Sequence, residues 1–323
     1  MNIQQEASVR ELLWYNIGGK VKYLLECSNR ADIEEAVKFI KEKAIQRIFV
    51  CGTGSNLIFT DHYFDGAVIR ITKGAKSENT LAINENGEVE AFAGLLLDDV
   101  IQFAFGKNLI GLEWAGGLPG TVGAAVRGNV GAYGGEIKDS LVSVDVLDYS
   151  GEHPVIKTVQ KDELQFAYRT SFVKTHKKMV VLTARFGLQK ADTAGMEAAR
   201  DVYEKRIQQR KQNHPLEYPN CGSVFKNLRD QEQITKVLSV FPELADDVEK
   251  KWHGKMAVAA VIEKLGLKGF RIGDAQVSEK HALFIINLGY AKAGDVLEII
   301  DTIQKKFQET FGFQLETEVE IVH

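Results

Sequence analysis

Apolar residues recur along the chain with two periods, and the alternation of those periods outlines its elements. KYLLEC (22–27) is a short apolar run of strand length. Ser28-Asn29 then offers a cap to a stretch in which Ile33, Ala36, Val37 and Ile40 fall at i, i+3, i+4 and i+7, which predicts a helix with one buried face. RIFVC (47–51) predicts a strand that runs directly into Gly52-Thr53-Gly54-Ser55-Asn56. Between 66 and 105 the strand-like runs AVIRIT, TLAI and EVEAFAG alternate with turns and give way to a helix near LLDDVIQFAFGKN. SVDVLDY and MVVLTARFGL predict two more strands, and MEAARDVYEKRIQQRKQ a polar helix that ends before Pro215. From about residue 212 the character changes. A turn-rich segment, HPLEYPNCGSVFKN, leads to helices over QITKVLSVF and KMAVAAVIEKLG, a glycine-marked loop, and a buried strand over ALFIIN (282–287). From Asp295, Val296, Ile299, Ile300, Ile303 and Phe307 share one helical face, and Gly312 supplies the stop. Residues 313–322 alternate and predict one continuous final strand. Phe313, Leu315, Thr317, Val319 and Ile321 share one face; Gln314, Glu316, Glu318 and Glu320 share the other.

Composition narrows the classes without choosing a function. The 323 residues suggest two domains, with the boundary near residue 210. Hydrophobic residues at 45% and charged residues at 26% are ordinary for a globular protein and exclude a disordered or collagen-like chain. A net charge of −4 gives no basic excess for nucleic acid or an anionic membrane. No apolar run reaches the ~20 residues of a membrane helix, and the first residues lack a signal-peptide core. The three cysteines, Cys27, Cys51 and Cys221, form no CxxC, so neither a disulfide framework nor a metal site is expected.

Glycine placement is the more informative signal. Gly52 to Asn56 follows a strand, where backbone N–H groups can wrap a phosphate, although a tight turn would read the same. It is neither a dinucleotide fingerprint nor a Walker loop. The stretch from Trp114 to Glu136 holds eight glycines in 23 residues, at an entropic cost of roughly 0.5–1 kcal/mol each relative to alanine in regular structure. Backbone packed against something flat or charged accounts for that cost. A plain surface loop fits less well, because Leu118, Val122, Val126 and Val130 are interleaved. Two such loops about 60 residues apart suit an elongated dinucleotide such as FAD. Arg169 beside Tyr168 suits a carboxylate or phosphate, or is a surface arginine stacked on its neighbour. Ser223, after Gly222, projects from a bend or caps it; no GxSxG elbow is present. The carboxylates of the final strand read as a solvated face. Were that face to border a closed cavity, burial and like charge would keep one of them protonated. His281 is a further candidate, although a lone histidine is more often structural.

Taken together, IGG (17–19), GTGSNL (52–57), AGGLPGTVGAAV with NVGAYGGE (115–136), FAYRTSF (166–172), PLEYPNCGSVFKN (215–227), AAVIEKLGLKGFRIGDAQVSEKH (259–281) and LETEVEIV (315–322) resemble the UDP-N-acetylenolpyruvoylglucosamine reductase (MurB) family in order and spacing. The resemblance implies an α+β fold: a two-part FAD-binding unit of the vanillyl-alcohol-oxidase (PCMH) type over residues 1–210, divided near residue 72, and a substrate domain over 211–323 whose last strand returns to the FAD domain. It places FAD on Gly52, Thr53, Gly54, Ser55, Asn56 and Leu57, on Gly116, Gly117, Pro119, Gly120, Thr121, Gly123 and Ala124, and on Asn129 and Tyr168. Catalysis falls on Arg169, Ser223 and Glu318, and substrate contacts on Lys211, Asn227, Gln276 and His281. The implied reaction passes a hydride from NADPH by way of the flavin to a UDP-sugar enolpyruvyl ether in peptidoglycan precursor synthesis. A cytoplasmic monomer with no nucleic-acid or membrane partner is expected. The sequence departs from the family pattern at Trp14-Tyr15, where threonine-phenylalanine is usual, and at Leu228, where proline is usual. It departs again at Asn213-His214, where a lysine is common, and at Asp274, where glycine is. Two alternatives remain: a flavoprotein of this fold with another substrate, and a non-catalytic flavin- or nucleotide-sugar-binding protein.

Overall fold

Parallel strands need a crossover, and the first 71 residues supply one. In the computed structural model, which describes residues 1–73 and 81–323, the strands Lys20–Cys27 and Ile48–Cys51 both pair in parallel with Phe64–Ile71. Helix Arg30–Glu42 connects the first two of these. It buries Ile33, Ala36, Val37 and Ile40, as the periodicity predicts, and Asn29 Oδ1 caps it by accepting from Asp32 N at 2.9 Å. Strand Asn2–Ser8, which the pattern does not signal because residues 2–6 are exposed, completes a four-stranded sheet. A second, five-stranded antiparallel sheet runs in the order Val155–Gln160, Leu141–Asp148, Met179–Phe186, Val89–Phe92, Leu81–Ile83. Thr80, the first residue of the predicted TLAI strand, lies outside the described residues. Val155–Gln160 escapes the pattern because it is a sheet-edge strand with most side chains in solvent.

These sheets, with helices Leu97–Gly106 and Thr193–Asn213, belong to a first unit made of residues 1–7, 21–53 and 64–212. The glycine-rich stretch of this unit is not loop throughout. Val122–Arg127 forms a short helix burying Val122, Ala125 and Val126. Small residues and only six positions left it no visible period.

A second unit comprises residues 8–20, 54–63 and 213–323. Its three-stranded sheet, Arg271–Ile272, Ala275–Val277 and Ile285–Asn287, packs with the amphipathic helix Ala293–Phe311, whose predicted face is buried throughout. The ALFIIN strand is shorter than expected. Its first half is a turn, closed by Phe284 N donating to His281 O at 2.9 Å. Asn287, 1% exposed, ties residues 15–16 to this sheet. Its Nδ2 donates to the Tyr15 and Asn16 carbonyls (3.2 and 3.4 Å), and its Oδ1 accepts from Gly289 N and Ala291 N (2.8 and 3.0 Å). Removing that amide strands buried donors and acceptors, each costing about 1–3 kcal/mol. Asn287→Ala is therefore expected to lower the urea midpoint by the equivalent of about 2–4 kcal/mol; an unchanged midpoint would mean that the four bonds add nothing.

Candidate active site

Glu318 lies just before the short final strand, Glu320–Val322, in a stretch that runs beside residues 224–226. Lys226 N donates to Glu316 O (3.0 Å), and Phe225 and Thr317 form an antiparallel bridge. At the next step, Glu318 N and Val319 N both reach Val224 O, at 2.8 and 3.4 Å. Two residues facing one define a β-bulge, which kinks a strand and re-aims its side chains. This corrects the expectation of one continuous strand over 313–322, of which only Glu320–Val322 is regular strand. The alternation holds to Val319 and then slips, so that Val322 is buried and Ile321 only half-buried. The chain also changes partner here, since Glu320–Val322 pairs in parallel with Leu57–Phe59. Asn56 Nδ2 donates to Glu318 O (3.3 Å), and Glu320 N donates to Asn56 O (3.2 Å).

Ser223 lies on the other side of the same bulge. Gly222 has φ +78°, a left-handed value that favours glycine, and turns the chain so that half-buried Ser223 precedes Val224. A Cβ at position 222 would stand 3.8 Å from Ser55 O. The second unit thus gathers Ser55, Asn56, Ser223 and Glu318, drawn from three separate stretches of sequence. Cys221, beside them, is fully buried, and burial pushes its thiol up to about 12, so it stays protonated.

Arg169 belongs to the first unit. Ala167 and Thr170 exchange both backbone hydrogen bonds (3.2 Å each), leaving Tyr168 and Arg169 as the corner of a two-residue turn. Arg169 adopts φ +59°, a conformation that costs a non-glycine residue about 1–3 kcal/mol and clusters at functional sites. Its guanidinium lies 5.4 Å from the Tyr168 ring centroid and donates to Gly131 O at 2.9 Å. Asn129, buried, fastens the turn from beneath, donating to Ala167 O (3.1 Å) and Glu136 Oε2 (2.8 Å). The arginine is thereby docked on the glycine-rich stretch.

The two glycine loops meet at Gly52. A Cβ there would run into Thr121 Oγ1 and would lie 2.8 Å from Thr121 Cγ2 and 3.1 Å from Thr121 Cβ. Thr121 is 2% exposed and cannot swing aside freely. Thr53 Oγ1 is buried and has no hydrogen-bond partner among the described residues. Gly116 packs on the backbone of Tyr203, in helix Thr193–Asn213, and its carbonyl accepts from Arg210 Nε (3.0 Å). Arg210 is buried, and its Nη2 has no partner among the described residues. Arg206 and Arg210 both face the Tyr133 ring, at 4.3 and 5.3 Å. The sequence did not single out Arg206, because its helix reads as polar on every side.

The remaining sequence candidates have individual places. Asn227 Oδ1 accepts from Val258 N (3.1 Å), and Gln276 Nε2 donates to Gly269 O (3.0 Å). Lys211 is exposed. His281 Nδ1 accepts from Leu283 N (3.3 Å), and burial holds the imidazole below its usual range, hence neutral.

Family models match at both ends of the chain. One described as "UDP-N-acetylenolpyruvoylglucosamine reductase, C-terminal domain" covers residues 214–322, and one described as "FAD binding domain" covers residues 21–156. UDP-N-acetylenolpyruvoylglucosamine reductase from Lactobacillus johnsonii is 37% identical over 100% of this chain and 95% of its own length. The protein of that name from Thermotoga maritima is 37% identical over 94% of this chain and 93% of its own. The chain belongs to the UDP-N-acetylenolpyruvoylglucosamine reductase family. The crystal structure of UDP-N-acetylenolpyruvylglucosamine reductase (MurB) from Thermus caldophilus matches it with a TM-score of 0.75 and 26% identity, covering all of both chains.

Within that family the α+β fold, with an FAD-binding part and a C-terminal domain, is as expected. The residues also fit the flavin. Thr53 Oγ1, buried and without a partner among the described residues, is a donor open to a phosphate oxygen, on a loop whose Gly52 packs directly on Thr121. Three of the departures from the family pattern, Tyr15, Leu228 and Asp274, have local reasons. Tyr15 is fully buried and donates to Ile285 O at 2.8 Å. Leu228 and Met256 exchange backbone bonds in both directions (3.1 and 3.0 Å), and a proline at 228 would forfeit one of them. Asp274 accepts from Tyr290 N (3.0 Å) and from Arg271 (2.6 Å), bracing the turn after Asn287.

Proposed function

We propose that this chain catalyses the NADPH-dependent reduction of UDP-N-acetylglucosamine enolpyruvate to UDP-N-acetylmuramate, a step in peptidoglycan precursor synthesis. Bound FAD, held by the loops at 52–57 and 116–124 with Asn129 and Tyr168, supplies the hydride drawn from NADPH that adds to C3 of the enolpyruvyl group. The observation that carries the residue roles is the bulge, which sets a serine and a carboxylic acid on either side of Val224.

Addition at C3 pushes negative charge onto C2 and the carboxylate. The Arg169 guanidinium pairs with that carboxylate through two parallel donors, and Glu318 in its acid form donates to it as well. Ser223 Oγ passes its proton to C2 and recovers one from water. A hydroxyl is a weak acid, but the carbanion-like centre is a strong base, so placement suffices. Arg210, with its unpartnered Nη2, and Lys211 in the same helical turn are the cations proposed for the diphosphate, while Asn227 and Gln276 complete the substrate set.

Three buried cysteines that form no CxxC suit a reducing compartment and support a cytoplasmic setting. Among the described residues no helix is long and apolar enough to cross a membrane. The purified protein should be yellow and should oxidise NADPH only when the enolpyruvyl UDP-sugar is added. Oxidation at the same rate without that sugar would overturn the reading.

A further inference from the structure

Val224 holds Ser223 and Glu318 in register, and it is itself held from a third side. Its carbonyl takes both bulge N–H groups, while its N–H, part of the Ser223–Val224 peptide, donates to Leu283 O at 2.9 Å. Leu283 is the third residue of the turn closed by Phe284 N and His281 O, and inside that turn its own N–H is spent on His281 Nδ1. Ser278 Oγ fixes the near end by accepting from Lys280 N (3.1 Å) and His281 N (3.4 Å). The imidazole stands edge-on to His214 (centroids 5.5 Å apart) and to Phe284 (5.0 Å). An Nδ1 that accepts requires the neutral ring with its proton on Nε2, and burial enforces that state, with the Lys268 charge acting in the same direction.

We infer that His281 is a positioning residue for Ser223: its Nδ1 fixes the Leu283 turn, whose carbonyl fixes the Ser223–Val224 peptide and so the direction of Ser223 Oγ. This rests on Ser223 as the proton donor. In this role His281 acts through two successive hydrogen bonds, Leu283 N to its Nδ1 and Val224 N to Leu283 O. A shift of about 1 Å in a catalytic group can cost 10²-fold, so loosening this relay by part of that distance should cost about tenfold.

The test uses rapid mixing of the flavin-loaded enzyme. His281→Ala should slow reoxidation of the reduced flavin by the enolpyruvyl substrate about tenfold more than it slows flavin reduction by NADPH, and should lower kcat rather than raise KM. His281→Asn should recover most of the loss, because an asparagine carbonyl accepts from the N–H two residues ahead as Nδ1 does here. Amide hydrogen exchange at Val224 and Leu283 should quicken in His281→Ala and not in His281→Asn. In a Ser223→Ala background, His281→Ala should add nothing to the reoxidation defect. Equal slowing of both half-reactions would assign His281 a general structural role and overturn the inference. So would a raised KM at unchanged kcat, which would mean direct substrate contact. Normal reoxidation by Ser223→Ala would instead overturn the proton-donor reading itself. A Ser223→Ala defect beside an unimpaired His281→Ala overturns this inference alone.

Discussion

Ser223→Ala should still be bleached by NADPH, while reoxidation by the enolpyruvyl substrate falls by about 10²–10⁴-fold, the usual contribution of a positioned general acid. The asymmetry follows from where the proton is needed. Flavin reduction requires no proton at C2 of the enolpyruvyl group, whereas product formation does. Because Ser223 is half-buried on a glycine-braced bend, the methyl that replaces its hydroxymethyl should fit without moving Val224 or the bulge. The measurement is a pair of single-turnover traces of flavin absorbance, one per half-reaction. If both proceed at the wild-type rate, the proton comes from elsewhere, and Glu318, attached to the same Val224 carbonyl, would be the next group to replace.

Gly52→Val should lose the flavin outright, and Gly52→Ala should bind it about 10–100-fold more weakly. Adding a Cβ at residue 52 drives it into Thr121, which is itself enclosed, and overpacking of that kind costs about 1–3 kcal/mol, or roughly one to two decades in affinity. Flavin content of the purified protein and titration of the flavin-free form both report it, with circular dichroism as the check that the sheets persist. Gly52→Ala combined with Thr121→Ala removes the two nearest obstructing atoms and should restore part of the affinity. Wild-type binding by Gly52→Ala would mean that the meeting of the two loops is unrelated to the cofactor.

Much of this was legible along the chain because several elements announce themselves by one-sided burial. Helices Arg30–Glu42 and Ala293–Phe311 bury the residues their periods mark. The bend at 52–56 was legible too, since its glycines directly follow the apolar run of strand Ile48–Cys51. What remained hidden has physical causes. Val122–Arg127 uses alanine and glycine and shows no stripe. The final strand alternates in sequence through Ile321, yet the bulge at Glu318 breaks the alternation in space, because Val224 offers one carbonyl to two amides. No local pattern encodes that choice, nor the partnership of Glu320–Val322 with Leu57–Phe59 from the other end of the sequence. The His281–Leu283–Val224 relay was equally invisible, since two of its three links are backbone atoms.

Leu228 and Met256 clasp each other by reciprocal amide bonds, so the two ends of residues 229–255 meet at one point, while Ile234, Val237, Leu244 and Val248 of that stretch pack into the domain's core. Length added near Lys250 and Lys251, which are exposed on that excursion, costs little in closure entropy and stops at the clasp. Relatives can therefore differ in size over this stretch while Ser223, five residues upstream of the clasp, keeps its aim.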